Sequence, residues 1–396
     1  MEPYLLERYD RQIRISGWDQ WKVSNSTVLI AGVGATGCEL AKNLCLAGIG
    51  RLILVDNDVV ELSNLNRQML FDDSDIGLPK AIVAREKLQK MNPYVKIDAY
   101  YEDLRKFDEF ILKDVDVFCS CLDNWATRRW LNSLAVELKK PLVDTAIEGL
   151  YGNVQVVIPG ETACLECHGD ALIPKDTQLA ECTLKRRKPE DLAEDLRKNK
   201  IEIPFELVKE LFSMGIKTIY DLKYTPIERL QKENSKISEE IIRLRDLLKP
   251  KLPAIQGGAS IIAGVASLEV LKIIHGGSIG KVTKHLIVYD GVSQRLTKVA
   301  LKRREDCFVC GDAMQEGEPI EITVNFDDYV WNLKEKVSAL FSIPDPEIQY
   351  KKWILKDDQK LSEINIKSDD ILYIHTSRRY TPIAIKVSFI ENSGRA

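Results

Sequence analysis

Nine cysteines in a chain of 396 residues are the first side chains whose type and spacing could do chemistry. Cys164 and Cys167 form one C-x-x-C pair in "ACLECHG", and Cys307 and Cys310 form a second in "DCFVCGD". Four thiolates in two such pairs are the donor set of a closed, tetrahedral structural Zn2+ site. The pairs stand about 140 residues apart, so only a folded chain could close that site. Two unrelated redox or core pairs are the alternative. Cys38, Cys45, Cys119 and Cys121 fall in apolar periodic stretches and read as core.

Cys182 is left over, in "LAECTLKRRKPEDL". The basic run Lys185–Lys188 behind it favours the thiolate, which is the nucleophilic form of cysteine. A segment of about 15 residues separates it from the first pair and could extend some 50 Å, so the thiol is free to sit on a separate face. An inert core or surface cysteine is the plain alternative.

The second group surrounds a glycine turn. Gly32, Gly34 and Gly37 make G-x-G-x-x-G between an apolar strand and a helix, and Asp56 ends the next strand. Such a turn offers helix N-terminal amides to a phosphate, and the acid suits ribose hydroxyls. Alone it does not separate a nicotinamide enzyme, a methyltransferase and an ATP enzyme. Three features favour ATP. Asn64, Arg67 and Gln68 follow in "SNLNRQ", where a guanidinium can fork onto outer phosphates. Lys80 sits in the first turn of its helix, opposing the helix dipole unless an anion is near. Asp123 ends the strand "DVDVFCSCLD", and a carboxylate facing a triphosphate makes sense through Mg2+.

Alternating strands and helices imply an α/β fold, a doubly wound, mostly parallel Rossmann-like sheet. Helices are expected at about 79–91, 124–138 and 261–274, and "GNVQVVIPG" reads as a later, antiparallel strand. Between Gly169 and Leu252 the chain turns rich in Lys, Glu and Leu, which reads as a helical insertion. From about residue 317 a small α+β module follows, one helix against about four strands. The expected organisation is 1–168, first part of the sheet domain; 169–252, insertion; 253–316, second part of the sheet domain; and 317–396, C-terminal module.

Composition is ordinary for a soluble protein, with 45% hydrophobic and 29% charged residues. A net charge of −4 gives no footprint for nucleic acid or an anionic membrane. The start "MEPYLLERYDRQ" is not a signal peptide, and "AIQGGASIIAGVASLEVLKII" reads as a buried amphipathic helix rather than a span. A cytoplasmic location is expected.

"RYDRQIRISGW", "GVGATGCELAKNL", "LVDNDVVELSNLNRQ", "IGLPKA" and "CLDNWATR" resemble the adenylation domain of ubiquitin-like modifier-activating enzymes, including the catalytic subunits for SUMO and NEDD8. They also resemble the sulfur-carrier adenylyltransferases of molybdopterin and thiamine synthesis. The resemblance implies Asp56 on the ribose, Asn64, Arg67 and Lys80 on the phosphates and Asp123 on Mg2+. It implies that Arg11 reaches across a dimer interface to the partner's ATP. The Cys182-Thr183 pair resembles the catalytic cysteine region of those enzymes, although "LKRRKPED" departs from the small, polar residues usual there. "ILYIHTSRRYTPIAIKVSFI" resembles their ubiquitin-fold (β-grasp) domain, which recruits a conjugating enzyme. "ENSGRA" carries no terminal diglycine, which argues against a fused modifier.

The expectation is therefore a homodimeric, prokaryotic-type enzyme that adenylates a ubiquitin-like protein and captures it on Cys182. A sulfur-carrier adenylyltransferase would need neither insertion nor C-terminal module. An inert partner subunit would be expected to lack Asp123, Arg67 or the cysteine, and a nicotinamide enzyme leaves the cysteines unexplained.

Overall fold

This computed structural model describes residues 7–107, 109–169, 188–198, 201–214, 216, 222, 243–244, 253–312, 318–341, 343, 346–364, 366–376 and 378–389. The chain divides into two compact units, Met1–His168 with Pro253–Ala396, and Gly169–Leu252.

In the first unit, β1 (Thr27–Ala31), β2 (Arg51–Val55), β3 (Lys96–Tyr100), β4 (Val117–Ser120) and β5 (Leu142–Glu148) are parallel, in the order β3-β2-β1-β4-β5. β6 (Tyr151–Val157), β7 (His285–Asp290) and β8 (Arg295–Ala300) extend that sheet antiparallel to eight strands. "TVLIA" and "RLILV" are nearly continuous apolar runs because both faces of these strands are covered. Val28, Ile30, Leu52 and Leu54 join one core with α3 (Ala35–Ala47), α4 (Lys80–Met91) and α9 (Gln256–Ile274). Leu29, Ala31, Ile53 and Phe118 join another with α6 (Trp125–Glu137). The period-two alternation of strand side chains thus builds a three-layer sandwich. Short helices α1 (Asp10–Ile13), α2 (Gln20–Ser24) and α5 (Glu109–Lys113) complete this part.

The C-terminal module pairs β9 (Ile320–Val324), β10 (Glu347–Tyr350), β11 (Trp353–Ile354), β12 (Ile371–His375) and β13 (Ile383–Phe389) in the order β11-β10-β12-β13-β9. β13 runs parallel to β9 and antiparallel to β12. α10 (Val330–Phe341) buries Val330, Leu333, Val337 and Phe341, one stripe at helical spacing; α11 (Leu361–Ile364) is a single turn. Its apolar core is continuous with that around α6 and the four paired cysteines.

The second unit contains α7 (Pro189–Lys198) and α8 (Phe205–Ser213). Leu192, Leu196, Val208 and Leu211 share a small core of their own.

Beyond strands the sequence did not reveal, the structure differs from the expectation at α9 and at "YKKWIL". α9 begins five residues early, since Gly257 and Gly258 fit its first turn. It is apolar all round rather than amphipathic, with Ile261 39% and Leu268 57% exposed. By length and composition alone it could cross a membrane, yet it packs on α3, β5 and β6. "YKKWIL" splits into β10 and β11 at Lys351, whose φ is 53°, so the module has five strands rather than about four.

The turn after β1 is the tightest place in the sheet. Gly32 has φ of 87°, and a Cβ there would lie 2.6 Å from the Cys121 carbonyl oxygen. A Cβ on Gly37 would overlap the Gly32 carbonyl, whereas one on Gly257 meets nothing within 4 Å. Gly37→Ala is therefore expected to cost roughly 1–3 kcal/mol of stability. Gly257→Ala should be neutral or stabilising. Equal unfolding midpoints for the two variants would contradict this packing.

Candidate nucleotide site and four-cysteine centre

Strand order reverses around β1, so the connections that follow β1 and β4 diverge beyond their carboxyl ends, the switch point where open α/β sheets bind ligands. The glycine turn follows β1, Asp56 follows β2, and Asp123 follows β4 at the entrance to α6. Gly34 is the N-cap of α3 and supplies no side-chain cap, so the first amides of α3 remain to be satisfied. Its φ of −84° is ordinary, and a Cβ there would approach only the Gln68 Nε2, at 3.9 Å. No protein atom demands glycine at 34; the lack of a side chain keeps the space before the helix open. Gln68 itself is buried, and its Oε1 has no hydrogen-bond partner. An orphaned buried acceptor beside an uncapped helix is a cradle shaped for a bound group.

Asp56 holds the turn in shape. Its Oδ2 accepts from the Val33 amide at 2.6 Å and its Oδ1 from the Asp58 amide at 2.8 Å. Burial pushes its pKa up to about 6, against the opposing pull of Lys80. Lys80, the first residue of α4, is itself buried and donates through Nζ to Asp58 Oδ2 at 2.9 Å. Burial opposes its charge, but Asp56, Asp58 and Asp123 together hold its pKa above the ordinary lysine value. The sequence offered a bound phosphate or an exposed lysine, and the structure shows Lys80 buried among acids. The protein's own carboxylates already balance it.

Asn64 is buried in the 3-10 turn Leu62–Asn64, where its Oδ1 accepts from the Glu61 amide at 3.0 Å. Arg67 is half-buried and donates to the Ser63 carbonyl at 2.6 Å and to Asn66 Oδ1 at 3.1 Å. Arg11 lies exposed on α1, and among the described residues no hydrogen bond ties it to the glycine turn. Cys182 lies outside the described residues.

The two C-x-x-C pairs meet. Cys164 Sγ lies 3.7 Å from Cys307 and 3.9 Å from Cys167, and Cys167 lies 3.3 Å from Cys310. All four sulfurs are buried within 4.8 Å of one another. Zinc–thiolate bonds of about 2.3 Å in a tetrahedron place sulfurs about 3.8 Å apart, so the set fits Zn2+. The Arg304 amide also points at Cys167 Sγ, at 3.4 Å. Cys38, Cys45 and Cys119 are buried, Cys121 nearly so, and burial raises each thiol's pKa. They are core, as the sequence implied.

Residues 9–309 match the ThiF family. The chain belongs to the ThiF family. Residues 313–379 match the Ubiquitin family. Among ThiF-family relatives, the NEDD8-activating enzyme E1 catalytic subunit of Schizosaccharomyces pombe is 32% identical over 316 residues, covering 72% of this chain and 70% of that one. SUMO-activating enzyme subunit 2 of Dictyostelium discoideum is 37% identical over 184 residues, 46% of this chain and 27% of that one. Protein HesA of Leptolyngbya boryana is 35% identical over 171 residues, 42% and 62% respectively. The chain thus spans about a quarter of the Dictyostelium protein and under two thirds of HesA. Escherichia coli MccB, solved with succinimide, shares the fold with a TM-score of 0.52 at 19% identity, covering 77% of this chain and 74% of that one.

The sequence reading missed Asp58, although "VDND" places a second acid in the same strand-end turn. It also missed two buried ion pairs that seat α6 in this ThiF-family fold. Arg128 grips Asp144 through two contacts, the longer 3.0 Å, and Arg129 Nε lies 3.0 Å from Glu166. Neither pair has a sequence signal, because each joins residues far apart in the chain.

Two tests follow. As a nucleotide ligand, Asp56 must accept ribose hydroxyls as a carboxylate. With its pKa near 6, ATP affinity should fall about tenfold from pH 7 to pH 5. Folding responds oppositely. A carboxyl whose pKa is raised above its unfolded value of 3.8 contributes stability below that value and loses it as pH rises through about 6. Asp56→Asn should flatten both profiles, and a pH step in affinity surviving in that variant would exclude Asp56 as its source. For the cysteines, metal analysis of purified protein should find one zinc per chain, lost in Cys310→Ser. Equal metal content in the two proteins would remove the site.

Proposed function

We propose that the chain activates a ubiquitin-like protein. The observation that carries this reading is the union, on one chain, of a ThiF-family adenylation fold with a Ubiquitin-family module. An oxygen of the modifier's C-terminal carboxylate attacks the α-phosphorus of ATP, the bond to the β-phosphate oxygen breaks, and pyrophosphate leaves. The thiolate of Cys182 then attacks the acyl carbon, forming a thioester and releasing AMP.

The reading gives each site residue a task. The uncapped amides of α3 receive phosphate oxygens, the unpaired Gln68 Oε1 accepts from a donor group of the nucleotide, and the open space at Gly34 lets the chain of phosphates approach the backbone. Asp56 holds the ribose. Lys80 and Arg67 turn from their own carboxylate and carbonyl partners toward the phosphates, balancing charge as pyrophosphate departs. Asn64 keeps its turn in place and so positions Arg67. Asp123, with the Asp58 carboxylate that faces the same lysine, would hold Mg2+. That ion, when bound, neutralises outer phosphate oxygens. The four cysteines hold Zn2+ as a structural clasp.

The partners proposed are a ubiquitin-like protein as substrate, a conjugating enzyme on the C-terminal module and a second copy of this chain. The exposed apolar residues Ile261 and Leu268 on α9 support a protein-covered face. In such a homodimer Arg11 serves the neighbouring nucleotide. A sulfur-carrier adenylyltransferase would share the ATP chemistry; the insertion and the Ubiquitin-family module favour the modifier.

With purified protein, ATP and a candidate modifier, Cys182→Ala is expected to retain modifier-dependent pyrophosphate exchange and to form no thiol-sensitive adduct. Asp123→Ala should lose exchange by about a hundredfold or more, the scale of removing a charge-stabilising group. An adduct persisting in Cys182→Ala would give the thioester to another residue.

A further inference from the structure

Helix α6 meets three parts of the fold in turn. Its N-cap, Asn124, follows Asp123 and accepts from the Thr127 amide at 2.8 Å. Its middle holds the first cysteine pair, because Asn132 Oδ1 accepts from the Leu165 amide at 3.0 Å and Arg129 pairs with Glu166. Its last turns meet the loop between β12 and β13 of the C-terminal module. There the Tyr380 amide donates to Ser133 Oγ at 2.8 Å, and that hydroxyl donates to Glu137 Oε1 at 2.8 Å. The Thr381 amide points at the same carboxylate oxygen, at 3.4 Å. The Tyr380 ring stands edge-on to Trp130, centroids 5.4 Å apart.

Arg379 closes this contact. Its side chain is only 9% exposed; Nε lies 3.4 Å from Glu137 Oε1, and Nη1 donates to the Phe308 carbonyl at 2.6 Å. Phe308 lies between Cys307 and Cys310, inside the second cysteine pair. One guanidinium therefore bridges α6 and the cysteine centre from within the module. A buried arginine is costly to strand, and its planar fork is matched to acceptors in fixed directions, here the Phe308 carbonyl and, from Nε at 3.1 Å, the Thr381 carbonyl, with Glu137 as the charge partner. A module tethered only by its connecting chain would need no such residue.

We propose that Arg379 is a positioning residue that locks the ubiquitin-fold module onto the second cysteine pair and the last turn of α6. A partner docked on the module is then held at one station relative to the nucleotide crevice, at the far end of the same helix. The lock itself does not depend on the proposed reaction; its use in hand-off rests on that reading.

The experiment uses the full chain in a Cys182→Ala background, with spin labels at Lys96→Cys on the edge of the large sheet and Trp353→Cys on the module. A narrow distance distribution is expected, broadening in Arg379→Ala and in the shape-conserving Glu137→Gln, with Arg379→Lys between. Amide exchange at Tyr380 and Thr381 should speed up roughly tenfold or more in Arg379→Ala, the effect of losing hydrogen bonds to a charged group. ATP affinity should stay unchanged in all variants, which verifies the adenylation fold and keeps this test separate from the proposed function. A distribution as narrow in Arg379→Ala and Glu137→Gln as in the parent would overturn the proposal.

Discussion

The candidate nucleotide site depends on an unfinished helix. α3 starts at a glycine that cannot cap it, directly after a glycine turn that leans on the end of β4. Everything near it compensates for that choice. Asp56 spends both oxygens on the backbone of the turn and its flank, Cys121 offers its carbonyl as the wall, and Gln68 closes the side with an unpaired oxygen. An N-cap serine would stabilise α3 by only about a few tenths of a kcal/mol over glycine, and its hydroxyl would occupy the place where a ligand's oxygen belongs.

The fold was largely readable because its information is local. β1 and β2 are apolar runs of buried parallel strands, Gly32 marks the turn, and Asn92-Pro93 marks the end of α4. β3 and β8 escaped notice, since "KIDAY" is half polar and "RLTKVA" is exposed along its whole length. The end of α9 was legible and its beginning was not, because two glycines read as a break and instead sit in a first turn.

Within the crevice, residue types were legible and their partners were not. Lys80 stood out as a cation at the wrong end of a helix, and only the folded chain reveals Asp58 beside it. Asn64 and Arg67 stood out as donors, yet their side chains are first of all turn-builders. The cysteine pairs were legible as a donor set because spacing alone restricts how a C-x-x-C can be used. Arg379 had no signal at all: the partners that tie it to the sheet domain, the Phe308 carbonyl and Glu137, lie more than 70 positions away.

The pairing of Lys80 with carboxylates has a consequence for which anions the crevice admits. A naked phosphate arriving there encounters a lysine already engaged and three acids that repel it. A polyphosphate bound with a divalent cation would give both sides new partners, the acids holding the cation and the lysine a phosphate. On the proposed reading, the self-neutralised lysine is a filter that favours a metal-laden nucleotide over a bare inorganic anion.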